Sequence, residues 1–246
     1  MTKGDTEKQV FLRDKLIKQG EDEANVYIQK ILAKLKPKSK LVDIGCGTAH
    51  IIAKLARKYE NALFTGLDIS EAMINLARNN TQGLINIELV QGDGLELPFQ
   101  SSKFDIVINR LADYSPADIH RILKKGGYFI EYGLGPDSDR EIVEFFPDRC
   151  EEESFFFPED PVNWKKEVTE KINELAFCNI KIEDYKCKDY YEDKEEIMDL
   201  IEMVPLLKDF NREKYSEKIN ELVEKYTEEQ GIAITWHYYI LEARKL

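Results

Sequence analysis

Three aspartates stand where short apolar runs end: Asp43 inside Leu41-Val42-Asp43-Ile44, Asp68 closing the run from Ala62, and Asp93 just after Leu84 to Gln91. Two glycines follow the first of them at once, in Val42-Asp43-Ile44-Gly45-Cys46-Gly47-Thr48-Ala49-His50. A glycine turn between a strand and a helix lets a ligand reach the main chain, because no side chain intervenes. Gly-x-Gly alone specifies little. An acid in the preceding strand end narrows the choice, since Asp43 would repel a pyrophosphate and attract a ligand carrying an ammonium group. Asp68 lies 21 positions after Gly47, where a carboxylate can accept both hydroxyls of a ribose. Asp93, in Gly92-Asp93-Gly94 with Leu95 and Leu97 beyond, can accept from an adenine amino group while the leucines pack on the ring. Each feature taken singly also fits turn or helix-cap duty. All three together suit a nucleoside that bears a positive charge.

Parallel strands are what would bring these acids to one place. Tyr27, Ile31 and Leu35 recur at four-residue spacing before Pro37, as on an amphipathic helix. The period then changes to the short apolar run ending at Ile44, followed by a helical stripe of Ile51, Ile52, Leu55, Ala56 and Tyr59. Strand Ala62 to Asp68 leads into a helix from Ser70, strand Leu84 to Gln91 follows, and Phe104 to Asn109 is a fourth strand. Ser115 caps a helix with Pro116 at its first position, and Gly126-Gly127 is expected to stop it before strand Tyr128 to Tyr132. Strand and helix in alternation with short links describe βαβ units on a parallel sheet, whose carboxyl ends face one crevice. Beyond Gly135 the pattern loosens. Residues 136–163, with Phe145-Phe146 and Phe155-Phe156-Phe157, read as a structured loop or lid. A helix near 164–177, a strand near 179–188, helices near 193–207 and 212–229, and a last strand from Ile232 to Ala243 follow.

This set of residues resembles the class I S-adenosylmethionine-dependent methyltransferases. Val42 to Ala49 is similar to the family's first motif, Asp68 to its ribose-binding acid, Asp93 to its adenine-binding acid, and Leu111 to Ile130 to the segment leading into its fifth strand. The resemblance covers roughly residues 38–132, with one departure: Ala49 stands where many members carry a third glycine, and only a modest change in the loop is expected. The implied fold is α/β, a Rossmann-like doubly wound, mostly parallel seven-stranded sheet whose last strand is antiparallel, with N-terminal helices and a helical insertion before the last strand. One domain over 1–246 is expected, with a helical cap at 1–37, a donor-binding core at 38–135, and a C-terminal half at 136–246 holding the insertion at 193–229. The implied cofactor is S-adenosyl-L-methionine, held by Asp43, Gly45, Cys46, Gly47, Asp68, Ile69, Asp93, Gly94 and Asn109. His50 either touches the donor's methionine end or lies on the surface. Asp113 and Tyr114, next to the fourth strand's end, either orient or deprotonate an acceptor or serve the loop. His120 and His237 read as packing residues, and Tyr27 either closes over the donor or packs.

Composition limits the partners. Thirty-five Lys and Arg against 47 Asp and Glu give a net charge of −12, which repels a phosphate backbone and weighs against nucleic acid. No run of about 18 apolar residues suggests a membrane span, and the charged start does not look like a secretion signal. Cys46, Cys150, Cys178 and Cys187 form no C-x-x-C pair, and three scattered histidines lend no support to a metal site. A cytoplasmic enzyme methylating a small molecule is the resulting expectation. The alternatives are a binding protein without turnover, transfer of another group such as aminopropyl from a modified donor, and a nicotinamide-dependent oxidoreductase. The last expects Gly-x-Gly-x-x-Gly, and His50 occupies its final position.

Overall fold

The computed structural model describes residues 21–146, 162–173, 175–203, 206–207 and 210–246. Its elements run α1 (Glu21–Leu32), β1 (Lys40–Ile44), α2 (His50–Lys58), β2 (Leu63–Asp68), α3 (Glu71–Asn80), β3 (Ile87–Gln91), β4 (Phe104–Arg110), α4 (Pro116–Ile122), β5 (Leu123–Leu134), α5 (Arg140–Phe145), α6 (Trp164–Asn173), β6 (Phe177–Tyr191), α7 (Lys194–Met203), α8 (Arg212–Tyr226), β7 (Thr227–Glu228) and β8 (Gly231–Lys245). The sheet is ordered β3-β2-β1-β4-β5-β8-β6, with the two-residue β7 paired to β8. β1 to β5 pair in parallel, and β8 runs antiparallel to both β5 and β6. This is the expected Rossmann-like sheet with its reversed last strand.

Alternate residues of each strand feed opposite cores. Leu41, Ile106, Ile108 and Ile130 pack on one face with Tyr27, Ile31, Ile52 and Leu55 from α1 and α2. Val42, Ile44, Val107 and Phe129 pack on the other with Ile119 of α4 and Trp164 and Val168 of α6. A third core joins Ile142 of α5, Ile197 and Ile201 of α7, and Ile219 and Leu222 of α8 to Tyr191, Ile232 and Ile234. It forms where β6 and β8 outrun β5: the β5–β8 pairing ends at Leu134↔Tyr238, while β6 and β8 continue to Tyr191↔Ile232.

Several boundaries differ from the sequence reading, each for a physical reason. β3 begins at Ile87 rather than Leu84, because the Asn86 amide is drawn onto the carbonyls of Ala56, Tyr59 and Ala62 at 3.2–3.3 Å. Gly126-Gly127 does not stop a helix. α4 ends at Ile122, and the pair sits inside β5 at its register irregularity with β4, Gly126 at φ +78°. A Cβ on Gly127 would come within 2.9 Å of the Asp105 carbonyl oxygen, so the glycine permits that approach. The strand near 179–188 extends over Phe177–Tyr191, and the segment read as a structured loop or lid holds α5. Phe155-Phe156-Phe157, expected in a lid, lie outside the described residues.

The α1 contribution includes a hydrogen bond. Tyr27, fully buried, donates its hydroxyl to the Asn109 carbonyl at 2.9 Å, where β4 ends. Tyr27→Phe is expected to lower unfolding free energy by about 1 kcal/mol in urea titration, the net worth of one such bond.

Candidate functional site

Register carries the site residues to one edge. Ile44 pairs with Leu67 on one side and Asn109 on the other, and Asp68 with Gln91, so the carboxyl ends of β1 to β4 lie level. Between β1 and α2 the chain turns through Gly45 and Gly47, both at positive φ. The amides of Gly45 and Cys46 donate to the Leu67 carbonyl at 2.8 and 2.9 Å. A Cβ on Gly45 would overlap that of Ala112, whereas one on Gly47 would meet nothing within 4 Å. Gly45 is therefore needed by the fold, and Gly47 leaves room for something else. Ala49 adopts the left-handed conformation a glycine would take there, φ +64°, so the loop keeps its shape at a cost of about 1 kcal/mol. His50 opens α2 and is half-buried.

Asp68 secures the turn from β2. One carboxylate oxygen accepts from the Gly47 amide at 2.8 Å and the other from the Ser70 amide at 2.9 Å. A carboxylate oxygen can take more than one hydrogen bond. Ser70 in turn caps α3 by accepting from the Met73 amide. Ile69 and Leu95 expose 41% and 56% of their surface, which leaves two apolar side chains beside the acids. Asp93 is exposed and accepts from the Leu95 amide at 2.9 Å. A Cβ on Gly94 would overlap the Asp113 carbonyl oxygen, and the Gly94 carbonyl accepts from the Ser115 amide at 3.2 Å.

The electrostatics favour a cation. Asp43 is 3% exposed. Burial raises its pKa to about 8, with the Asp68 charge adding and Arg110 opposing. The same burial, with Asp43 and Asp68 nearby, pushes the Cys46 thiol well up, so it is no nucleophile. A positively charged ligand would relieve this crowding of carboxylates; a pyrophosphate would worsen it.

On the far side of β4 the structure brings together a cluster that the sequence reading missed. Glu131 of β5 is 8% exposed and accepts from the hydroxyls of Tyr114 at 2.8 Å and Tyr239 at 2.9 Å. Burial and that carboxylate hold the Tyr114 phenol well above its usual pKa. Tyr114 is thus a committed donor rather than a base. The one available signal was a lone acid inside the apolar run Tyr128-Phe129-Ile130-Glu131-Tyr132. Asn109 is 1% exposed and spends its amide on the carbonyls of Ile44 and Ala112 at 3.1 and 3.0 Å, bracing the loop after β4. His120 packs edge-on to Phe177 and His237 edge-on to Trp164. Burial lowers both imidazole pKa values, which suits neutral packing residues. Among the described residues no group of three or more His, Cys, Asp or Glu could hold a metal ion, and no helix is long and apolar enough to cross a membrane.

A family model described as a methyltransferase domain matches residues 35–171, which is more than half of the chain. The chain belongs to that family. A relative of this methyltransferase domain is a demethylmenaquinone methyltransferase of Staphylococcus epidermidis, 38% identical over 100 residues, 37% of this chain and 42% of that protein. The chain thus spans about two fifths of this curated relative's length. Solved structures share the fold at lower identity. A putative methyltransferase of Bacillus halodurans C-125 is 19% identical with a TM-score of 0.64, covering 91% of this chain and 99% of that one. Phosphoethanolamine N-methyltransferase 2 of Haemonchus contortus, solved with phosphomonomethylethanolamine and S-adenosylhomocysteine, is 19% identical with a TM-score of 0.58, covering 91% and 52%.

Two stability effects follow from this geometry. Gly45→Ala must accept positive φ and displace Ala112, so calorimetry should show a loss of about 2–4 kcal/mol. Asp43 keeps its proton in the native chain up to about pH 8 but loses it near 3.8 when unfolded, so its contribution falls as pH rises through that window. Asp43→Asn is expected to stabilise the ligand-free methyltransferase domain at pH 8 by roughly 1–3 kcal/mol, and to change little at pH 4.

Proposed function

We propose that this chain is an S-adenosylmethionine-dependent methyltransferase that methylates a small-molecule acceptor by in-line displacement. The observation that carries the reading is the single strand-end edge holding Asp43, Asp68 and Asp93 around an open glycine turn. In this reading Asp43 faces the donor's ammonium, and the open surface over Gly47 admits its main body. Asp68 accepts from the ribose hydroxyls. Asp93 takes the adenine amino group, with Ile69 and Leu95 against the ring. When bound, S-adenosylmethionine supplies a sulfonium methyl that is already activated for displacement. The chain's task is then alignment and exclusion of water: acceptor and methyl must lie about 3–3.5 Å apart.

Asn109, Asp113 and Tyr114 border the methyl side. Asp113 is the candidate to orient or deprotonate an acceptor, since Tyr114 is bound to Glu131. A small acceptor agrees with the net charge of −12, which disfavours nucleic acid, and with a relative named for demethylmenaquinone. We place the protein in the cytoplasm, where the thiols of Cys46, Cys178 and Cys187 suit a reducing compartment.

Titration calorimetry with S-adenosylmethionine and with NAD tests donor choice, and tighter NAD binding would overturn the reading. Labelled-methyl transfer into a small-molecule extract, with mass analysis of the product, tests turnover; donor binding without transfer would leave a binding protein. Asp68→Ala should weaken the donor by about 1.5–3 kcal/mol, roughly 10- to 150-fold. Donor affinity should also rise with pH toward about 8, because Asp43 must shed its proton to meet the ammonium. Above about 8 the donor's own α-amino group loses its charge and affinity should fall. Asp43→Asn should flatten the rising limb in the same titrations.

A further inference from the structure

The loop from Leu111 to Ser115, on the methyl side of the site, is gripped from two directions. Toward β1 and β3 the grips are tight. Asn109 binds the Ala112 carbonyl, Ala112 lies against Gly45, and the backbone of Asp113 and Ser115 lies against Gly94. Toward β5 and β8 the Leu111 amide donates to the Tyr132 carbonyl at 3.1 Å, and Tyr114 adds a side-chain grip, its hydroxyl reaching Glu131 and its ring standing edge-on to Phe129 at 5.2 Å. Glu131 also accepts from Tyr239 of β8. That second bond needs Gly133, where a Cβ would overlap the Tyr239 ring. Trp164 of α6 closes the cluster, 5.3 Å from Tyr239 and 5.6 Å from His237.

A carboxylate here is a costly choice. Burial raises its pKa, opposed by the two hydroxyls, and an apolar side chain with phenylalanine partners would fill such a space with less desolvation. Packing alone does not account for Glu131.

We propose that Glu131 is a positioning residue: through Tyr114 it fixes the 111–115 loop against β5, and through Tyr239 it ties that loop to β8. The two hydroxyls point at one carboxylate from different elements, so the loop's placement is set by β8 as well as by β4. Glu131 does not touch the reacting atoms. It acts on how closely the loop holds an acceptor to the methyl, where a displacement of about 1 Å costs on the order of a hundredfold in rate. This inference rests on the methyl-transfer reading above.

The test separates positioning from stability. Glu131→Leu alone strands two buried hydroxyls and is expected to destabilise the chain. The triple variant Glu131→Leu, Tyr114→Phe, Tyr239→Phe removes the polar groups together, and its melting temperature should return close to the wild-type value. With the acceptor identified by the extract screen, the triple variant should keep its affinity for S-adenosylmethionine within about threefold and lose roughly 10- to 100-fold in kcat. Glu131→Gln, which keeps an acceptor oxygen, should recover most of that loss. Hydrogen exchange with S-adenosylhomocysteine present should be faster at 111–115 in the triple variant than in the wild type. A triple variant that is stable, with wild-type kcat and wild-type exchange in the loop, would overturn the proposal. Failure of the wild-type chain to bind S-adenosylmethionine would instead overturn the methyl-transfer reading.

Discussion

Two carboxyl groups crowded at the ends of adjacent strands are the constraint on which this architecture turns. Asp43 and Asp68 lie on neighbouring parallel strands, the first almost without water around it. Nothing in folding favours that arrangement, because an isolated carboxylate in a poorly hydrated place prefers to hold its proton. The surrounding structure must impose it. Parallel pairing along β1 and β2 fixes both backbones, the Gly47 and Ser70 amides fix one carboxylate, and Arg110 relieves the other from β4. The strain is local, and a cationic ligand would relieve it.

The glycine turn divides its work between two residues. Gly45 is small because Ala112 of the loop after β4 presses on it, while Gly47 is small facing open space. One glycine thus joins two strand-end loops, and the other exposes main chain beside Asp68. The same device recurs at Gly94, where the loop after β3 meets the backbone of Asp113. Close backbone packing of three loops makes one continuous edge out of segments far apart in sequence.

What could be read in advance was what local pattern records. The stripe of α2, the Ser115-Pro116 start of α4 and the apolar runs of β1, β2 and β4 all follow from period and cap chemistry. That the three acids share one edge was legible because each lies within two residues of a strand's end, and strand ends in a parallel sheet converge. Less could be learned where the deciding contact is remote. Glu131 meets partners 17 and 108 positions away, and no window of sequence contains that. Gly126-Gly127 looked like a helix stop because glycine commonly is one, yet it serves a close pass of β5 by Asp105. The six-residue α5 is too short to show a period, and its leading residue Asp139 takes a left-handed conformation that nothing nearby announces.

The position of β8 has a consequence for how the chain assembles. Among the described residues β6 makes no pairing with β5 and joins the sheet across β8, which is inserted between them. As the polypeptide leaves the ribosome, β1 to β5 can associate in order, but β6 has no strand of the sheet to pair with until Gly231–Lys245 emerges. Until then β5 and β6 both present open edges, the form of exposure that invites pairing with other chains. Completion of the sheet is a late, long-range event, set by β8 rather than by β1 to β5.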